Sequence, residues 1–176
     1  DLHSLRRRQR QMCIREDIKR GDKMFPIQLG LKASCDLEQM ESRLKYHPDV
    51  FEFSYFENGI SKLLSFGKSE FDQLLAQKGY PLTYDVSHAF IYLHGDNKAL
   101  QRSLETLKRD IIHYHLVDSL GKRHDSLTLG QGKIYWAESL PLFNEHATSI
   151  LKDLNKPIKQ LESHAYLTKI AQAING

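Results

Sequence analysis

Carboxylate and imidazole side chains are concentrated between positions 81 and 136, and several of them follow short apolar runs. The set comprises Asp85, His88, His113, His115, Asp118, His124 and Asp125. Mixed carboxylate and imidazole ligands suit Zn, Mn, Fe or Co, and oxygen-rich sets favour Mn or Mg. No cysteine lies in this stretch, so thiolate ligands are not available there. The residue types therefore predict a site for a divalent metal ion.

Strand ends supply the predicted ligands of this site. Four predicted strands end at Glu57, Asp85, His115 and Glu162. In parallel βα architectures the ligand site forms at the carboxyl ends of the strands. His88 follows Asp85 by three positions, and an Asp-x-x-His pair can turn both side chains toward one centre. The pattern predicts that these side chains meet at one edge of a parallel sheet.

Each of these residues also has a plainer structural interpretation. Glu57 precedes an Asn-Gly turn signal, and Glu162 lies in a stretch that resembles a helix cap. His113 and His115 share one strand face, so one of them equally fits an ordinary core or surface histidine. The coincidence of four strand ends favours the metal site over these separate interpretations.

Signatures of several other enzyme classes are absent from the sequence. There is no GxSxG, P-loop or GxGxxG pattern, and these mark hydrolase elbows and phosphate-binding loops. Gly130-Gln131-Gly132 lacks both the third glycine and a preceding strand. Neither Cys13 nor Cys35 lies near a histidine suited to catalysis. Nucleotide binding and thiol nucleophile chemistry are therefore disfavoured.

The elements that must position these residues alternate between strands and helices. Strands are predicted in 27–31, 50–56, 81–89, 111–117 and 156–162. Helices are predicted in 1–23, 37–44, 69–78, 98–109, 134–143, 145–154 and 163–174. Alternation of this kind is typical of βα units and a parallel sheet.

Length and composition fit one soluble domain that spans residues 1–176. Hydrophobic residues make up 40% and charged residues 27% of the chain, which is ordinary for a globular protein. No apolar run approaches the roughly 18–20 residues that span a bilayer, and the N-terminus does not resemble a signal peptide. Two widely spaced cysteines fit free thiols in a reducing compartment. We expect a cytoplasmic protein without a membrane partner.

Basic residues are concentrated at the N-terminus, where four arginines lie within positions 6–10. The formal net charge is +3, so the rest of the chain is close to neutral. Such a cluster can contact phosphates, but it is more typical of a solvated helix face. We expect residues 1–23 to form a basic helical extension, and a nucleic-acid partner is less favoured than a small molecule.

Several short motifs together resemble the xylose-isomerase-like barrel superfamily. They are ENG (57–59), YDVSHA (84–89), HLVDS (115–119), LGQGKIYW (129–136) and LE (161–162). The superfamily contains sugar phosphate isomerases and epimerases and, as a sister branch, the endonuclease IV family of DNA repair enzymes. The resemblance is best over residues 57–174. It implies an α/β fold, a TIM (β/α) barrel.

This barrel is expected to be incomplete, because five or six of the eight βα units are recognisable. A complete barrel takes about 250 residues, and about two units would be missing between Phe56 and Glu57. We expect missing internal segments rather than a naturally reduced barrel, because the flanking motifs stay similar to the family. An open half-barrel would expose sheet edges, which makes a homo-oligomer one way to cover them.

The resemblance also implies ligands and catalytic residues. One divalent ion (Mn, Zn, Mg or Co) would be held by Glu57, Asp85, His115 and Glu162. The ion would polarise the carbonyl of a sugar, sugar acid or sugar phosphate. Glu57 and Glu162 would remove and return a proton on opposite sides of the sugar. The implied activity is that of a metal-dependent isomerase or epimerase.

Substrate contacts are implied for three further residues. His88 would orient the carbohydrate, and Lys122 or Arg123 would bind a hydroxyl or phosphate group. The nuclease branch holds a third metal with an Asp-x-His pair, where this chain has His124-Asp125-Ser126. The isomerase or epimerase interpretation is therefore favoured over an abasic-site endonuclease. A non-catalytic relative that binds a partner is the remaining alternative.

Overall fold

The computed structural model describes residues 38, 41, 56–59, 65–152 and 157–175. The predicted N-terminal extension (1–23) and the predicted strand at 27–31 lie outside the described residues. Glu38 and Glu41 are helical, as predicted, and the rest of the helix predicted at 37–44 also lies outside them. Within the described part of the chain, no helix is long and apolar enough to span a bilayer.

A parallel sheet forms the framework of the described residues. Its four strands lie side by side in chain order: β1 (Phe56–Glu57), β2 (Leu82–Asp85), β3 (Ile111–Leu116) and β4 (Thr148–Leu151). All three pairings are parallel. Asp85 pairs with His115, and His115 pairs with Ile150. The register brings the carboxyl ends of the strands to one edge of the sheet.

The first strand joins Phe56 and Glu57 directly. These two residues were expected to flank a gap of about two βα units. Instead, Phe56 pairs with Leu82 and Glu57 pairs with Thr83 in one continuous ladder. Phe56, the last residue of the predicted 50–56 strand, and Glu57, the first residue of the ENG motif, therefore belong to a single strand.

Helices α1 (Ser69–Lys78), α2 (Val86–Tyr92) and α3 (Asn97–Leu107) connect the first three strands. Gly79 ends α1 with a φ of 64°, and its N–H donates to Leu75 O, a conformation that glycine adopts without a Cβ penalty. Asp96 caps α3 by accepting from Lys98 N and Ala99 N. The helices predicted at 69–78 and 98–109 are confirmed. The strand predicted at 81–89 is correct only to Asp85, because α2 begins at the next residue.

The C-terminal part of the chain differs from the prediction. A short helix, α4 (Trp136–Ser139), runs into a 3-10 turn (Leu140–Leu142) that contains Pro141. The helix predicted at 145–154 is wrong, because β-branched Thr148 and Ile150 join β4 and pair with β3. The strand predicted at 156–162 is also wrong, because α5 (Pro157–Asn175) covers residues 157–162, and residue 156 lies outside the described residues. Pro157 is the first residue of α5, a position where proline is favoured in helices.

The core lies where the sheet packs against the helices. Tyr84 and Tyr114 are buried on the sheet. The Tyr84 hydroxyl donates to Ser103 Oγ in α3 across 3.0 Å, so its polar end is satisfied. Leu100, Leu104 and Leu107 form the buried side of α3, with the 3.6-residue periodicity of an amphipathic helix. This packing holds strands β1 to β3 in register beneath the candidate site.

Candidate functional site

Three side chains meet where β1, β2 and β3 end. The nearest ligand-type atoms of Glu57, Asp85 and His115 all lie within 4.8 Å of one another. His115 Nδ1 is 2.8 Å from Glu57 Oε1 and 3.6 Å from Asp85 Oδ2. We call this group the strand-end trio. Its members were predicted to converge, and they do so because the parallel register aligns their strand ends.

Asp85 is held rigidly beneath this group. Its side chain is fully buried, and Oδ1 accepts from Ser87 Oγ and from His88 N at 2.9 and 3.0 Å. The bond from His88 N also caps α2. Since Oδ1 is engaged by the helix, Oδ2 faces His115.

Asn58 ties β1 to β2 next to the trio. Its Oδ1 accepts from Asp85 N at 2.7 Å, and its Nδ2 donates to Asp85 O at 3.0 Å. Asn58 is buried, although the Asn-Gly sequence had indicated only a turn. Two side-chain bonds to one residue's backbone fix Glu57 and Asp85 relative to each other. No pattern in the sequence alone distinguishes this residue from a turn asparagine.

Lys152 places a cation against all three members of the trio. Its Nζ lies 3.1 Å from Glu57 Oε1, 3.0 Å from Asp85 Oδ2 and 3.3 Å from His115 Nδ1. Lys152 is the first residue after β4, and its N–H donates to Leu116 O. Lys152 was not predicted as a site residue, because a helix was predicted at 145–154. The β-branched residues of Thr148–Leu151 were the available signal.

The charges of the trio and Lys152 stabilise one another. Burial by itself raises the pKa of the Glu57 carboxyl, but the hydrogen bond from His115 and the charge of Lys152 hold that pKa below its usual value. Burial is also the largest influence on Asp85, and His115, His88 and Lys152 together outweigh it, so the pKa of Asp85 is lowered strongly. Both carboxylates are therefore ionised at neutral pH.

The two basic groups show the complementary effect. Burial lowers the pKa of His115, but hydrogen bonds with Asp85 and Glu57 more than compensate, so the pKa lies above its usual value. Burial likewise opposes the charge of Lys152, and the carboxylates of Asp85 and Glu57 raise its pKa nonetheless. The cluster is therefore an ionic network of two carboxylates and one or two cations.

Two carboxylates and an imidazole suit a divalent ion of the Zn, Mn, Fe or Co type. The strand-end trio could therefore hold such an ion, and this would require His115 to be neutral. The fourth predicted ligand, Glu162, does not join the trio. It lies exposed on α5, because the predicted strand that would have carried it is helical.

His88 lies beside the trio and pairs with a second histidine. Its Nε2 is 3.5 Å from Asp85 Oδ2 and 2.9 Å from His124 Nε2. His88 Nδ1 lies 2.9 Å from Asn58 O, which requires a proton on Nδ1. In neutral His88 the unprotonated Nε2 then accepts from His124 Nε2–H, and Ser126 Oγ lies 3.2 Å from His124 Nδ1. His124 was counted among the ligand-type residues, but this pairing was not predicted.

Lys122 and Arg123, the other predicted substrate-binding residues, lie in the loop that follows β3. Both are exposed. The carbonyl of Arg123 lies 3.5 Å from Ser119 Oγ. Their predicted contact with a hydroxyl or phosphate stays a prediction.

Asp118 organises the loop that carries these residues. Its carboxylate accepts from four donors: Ser119 N, Gly130 N, Ile134 N and Trp136 Nε1. A Cβ added to Gly132 would clash with this carboxylate, so only glycine lets the loop pass so close. The GQGKIYW segment therefore wraps around a buried anion. Asp118 is a structural residue of the loop and not a member of the trio.

Comparisons with known proteins support the fold. No model of a known protein family matches the sequence, and no curated protein matches it. A solved structure described as a D-tagatose 3-epimerase-like protein is similar, with a TM-score of 0.58 and 20% sequence identity. The match covers 78% of this chain and 56% of that chain. This chain thus spans little more than half the length of that structure.

At this level of identity the likeness establishes the fold. The predicted fold class is confirmed as α/β with a parallel sheet, and the described strands and helices are consistent with part of a TIM barrel.

Proposed function

We propose that this chain carries the site of a sugar isomerase or epimerase that acts by proton transfer next to a carbonyl polarised by a divalent ion. The convergence of Glu57, Asp85 and His115 at three adjacent strand ends carries the proposal. The fold likeness to a D-tagatose 3-epimerase-like protein supports a small carbohydrate as the substrate class. Carboxyl ends of barrel strands are where catalytic residues of such folds lie.

The strand-end trio would hold the ion. When bound there, a divalent ion supplies Lewis-acid polarisation of substrate oxygens. Asp85 is anchored through Oδ1 by α2, so its position changes little when the site binds a ligand. Asn58 keeps the ends of β1 and β2 together. This preorganisation lowers the cost of assembling the site.

Glu57 is the carboxylate best placed to move a proton. Its side chain is 18% exposed, whereas that of Asp85 is 0% exposed. A general base must reach the substrate directly or through one water, and a fully buried carboxylate that caps a helix does not. Glu162 was predicted as the second proton-transfer residue. Its exposed position on α5 removes it from this proposal.

His88 and His124 would form the polar wall of the substrate pocket. Their rings lie 5.0 Å apart between centroids, and His88 is held by Asn58 O. A fixed imidazole next to the trio suits orientation of a sugar hydroxyl. Lys122 and Arg123, in the neighbouring loop, would bind a further hydroxyl or a phosphate, as predicted.

The test is exchange of solvent deuterium into a sugar. The purified protein is incubated in D₂O with D-tagatose, other ketoses or their phosphates, each with Mn²⁺, Co²⁺, Zn²⁺ or Mg²⁺, and products are followed by NMR. We expect deuterium at the carbon next to the carbonyl. Glu57→Gln should lower this exchange at least ~100-fold, and Glu162→Gln should leave it unchanged.

Absence of exchange with every sugar and metal would contradict the proposal. Cleavage of abasic-site DNA under the same conditions would support the endonuclease alternative. The observation that favours this second candidate is the His88–His124 pair, because two imidazole nitrogens 2.9 Å apart beside Asp85 could hold an additional ion. If neither activity is found, the non-catalytic, partner-binding alternative remains.

A further inference from the structure

The Lys152 ammonium contacts the same atoms that make up the candidate metal site. The three contacts, to Glu57 Oε1, Asp85 Oδ2 and His115 Nδ1, span only 3.0–3.3 Å. A lysine in an ordinary surface ion pair would contact only one of these three side chains. Lys152 instead meets every member of the trio, so its ammonium is held at the focus of the site.

Charge balance shows that this position takes one cation at a time. The two carboxylates supply two negative charges, and the Lys152 ammonium already neutralises one of them. A divalent ion added beside Lys152 would leave an excess of positive charge within a few ångströms, where like charges repel strongly. The ion would also need the oxygen and nitrogen lone pairs that the ammonium now faces. The two cations therefore exclude each other.

Asp85 favours a cation at this position, because its Oδ2 is not engaged by the hydrogen bonds that hold Oδ1. Its side chain is fully buried, and an isolated buried carboxylate is costly unless it is paired. In the structure Lys152 provides that partner at 3.0 Å. A divalent ion would serve the same purpose, so the two cations are alternatives for one electrostatic requirement.

The side chain of Lys152 can move away from the trio. Its backbone is fixed by the bond from its N–H to Leu116 O, but its side chain is 30% exposed. A lysine carries its charge on a flexible four-carbon stem. The ammonium can therefore move from the trio into solvent while β4 stays in place.

We propose that Lys152 is an internal cation that occupies the strand-end trio in the metal-free protein and competes with a divalent ion for it. The inference rests on the metal site of the proposed function, but not on the sugar chemistry. It implies that Lys152 weakens divalent-ion binding and keeps the metal-free site folded. Metal loading and withdrawal of the Lys152 side chain are then one event.

The experiment measures Mn²⁺ affinity directly. Mn²⁺ is titrated into the full chain, and free aqueous Mn²⁺ is quantified by electron paramagnetic resonance. We expect Lys152→Met and Lys152→Gln to bind Mn²⁺ at least about tenfold more tightly than the unmodified protein. Lys169→Met removes an exposed lysine on α5 and should bind like the unmodified protein. Glu57→Gln combined with Lys152→Met should lose the gain.

A second measurement needs no substitution at Lys152. The unmodified protein is treated briefly with an amine-acetylating reagent with and without Mn²⁺, and each lysine is quantified by mass spectrometry. We expect Mn²⁺ to raise acetylation of Lys152 several-fold and to leave Lys169 unchanged. This result would support displacement of Lys152 even if its variants fold poorly.

Equal or weaker Mn²⁺ binding by folded Lys152 variants, or unchanged Lys152 acetylation, would overturn the inference and leave the proposed function standing. Absence of Mn²⁺ binding in every variant would overturn both the inference and the proposed metal site. Tighter binding by the Lys152 variants without sugar exchange would support the inference while the proposed sugar chemistry fails. The outcomes therefore separate the two proposals.

Discussion

The indole N–H of Trp136 donates to Oδ2 of Asp118 across 3.0 Å, and both residues are buried. This bond closes the loop that follows β3 onto the start of α4. His124, Lys122 and Arg123 all lie on that loop, so the bond also determines where the candidate substrate-binding side chains are held. The buried carboxylate of Asp118 thus helps to position these side chains without contacting them.

Replacement of Asp118 by alanine should destabilise the protein strongly. Four donors would lose their acceptor, and each buried donor left unsatisfied costs about 1–3 kcal/mol. We expect a loss of at least about 3 kcal/mol in the free energy of unfolding, measured by urea denaturation. Asp125→Ala, in the same loop, is the control and should cost much less. Equal losses in the two variants would contradict the role of Asp118.

The loss of stability caused by a glycine-to-alanine substitution should depend on the space around the glycine. A Cβ at Gly132 would clash with the Asp118 carboxylate, whereas a Cβ at Gly79 would have Asp110 Oδ1 at 3.9 Å and no clash. Gly79→Ala should cost about 1–2 kcal/mol because its φ is positive. Gly132→Ala should cost more, in thermal or urea unfolding. The opposite ranking would show that the loop relaxes away from Asp118.

Asn58 should control the geometry of the trio as well as stability. Asn58→Ala removes both bonds to the Asp85 backbone and leaves a buried N–H and C=O without these partners. We expect a loss of about 1–3 kcal/mol in unfolding free energy and weaker Mn²⁺ binding. Asn97→Ala removes a comparable pair of side-chain bonds, to Lys133 O and Tyr135 N. It should leave Mn²⁺ binding unchanged, and weakened binding in both variants would argue against a specific role for Asn58.

Asp72 should make the protein more stable as the pH falls from 7 to 5. Burial raises the pKa of its carboxyl to about 6, despite hydrogen bonds from Gly67 and Ser103. In the unfolded chain the pKa of Asp is about 3.9. Between these two pKa values the Asp72 carboxyl binds more protons in the folded state than in the unfolded state. The contribution of Asp72 to stability therefore falls as the pH rises from about 4 to about 6, and it levels off above pH 6.

The measurement is urea unfolding of the unmodified protein and of Asp72→Asn between pH 4 and 8. We expect the unfolding free energy of Asp72→Asn, relative to that of the unmodified protein, to increase by on the order of 1–3 kcal/mol between the lower and the higher pH. Glu70→Gln, an exposed change on α1, should show no such shift. Parallel curves for the unmodified protein and Asp72→Asn would contradict a raised pKa at Asp72.

Local patterns in the sequence were sufficient for the class of fold and for much of the site. Alternating strands and helices indicated the parallel sheet, and ligand-type residues at strand ends predicted that Glu57, Asp85 and His115 would meet. These inferences succeeded because strand and helix periodicity are local properties. Parallel pairing then brings the ends of neighbouring strands to one edge without further information.

Local patterns were ambiguous at the end of the chain, and the tertiary structure decided both that end and the charge of the site. Residues 148–151 became a strand because β3 offered a pairing edge, and Pro157 began a helix where a strand had been predicted. Those two changes separated Glu162 from the other predicted ligands and placed Lys152 against the trio. Asn58 and His124 likewise acquired partners 27 and 36 residues away in the chain. Such contacts depend on long-range pairing energies, which no local pattern of residues encodes.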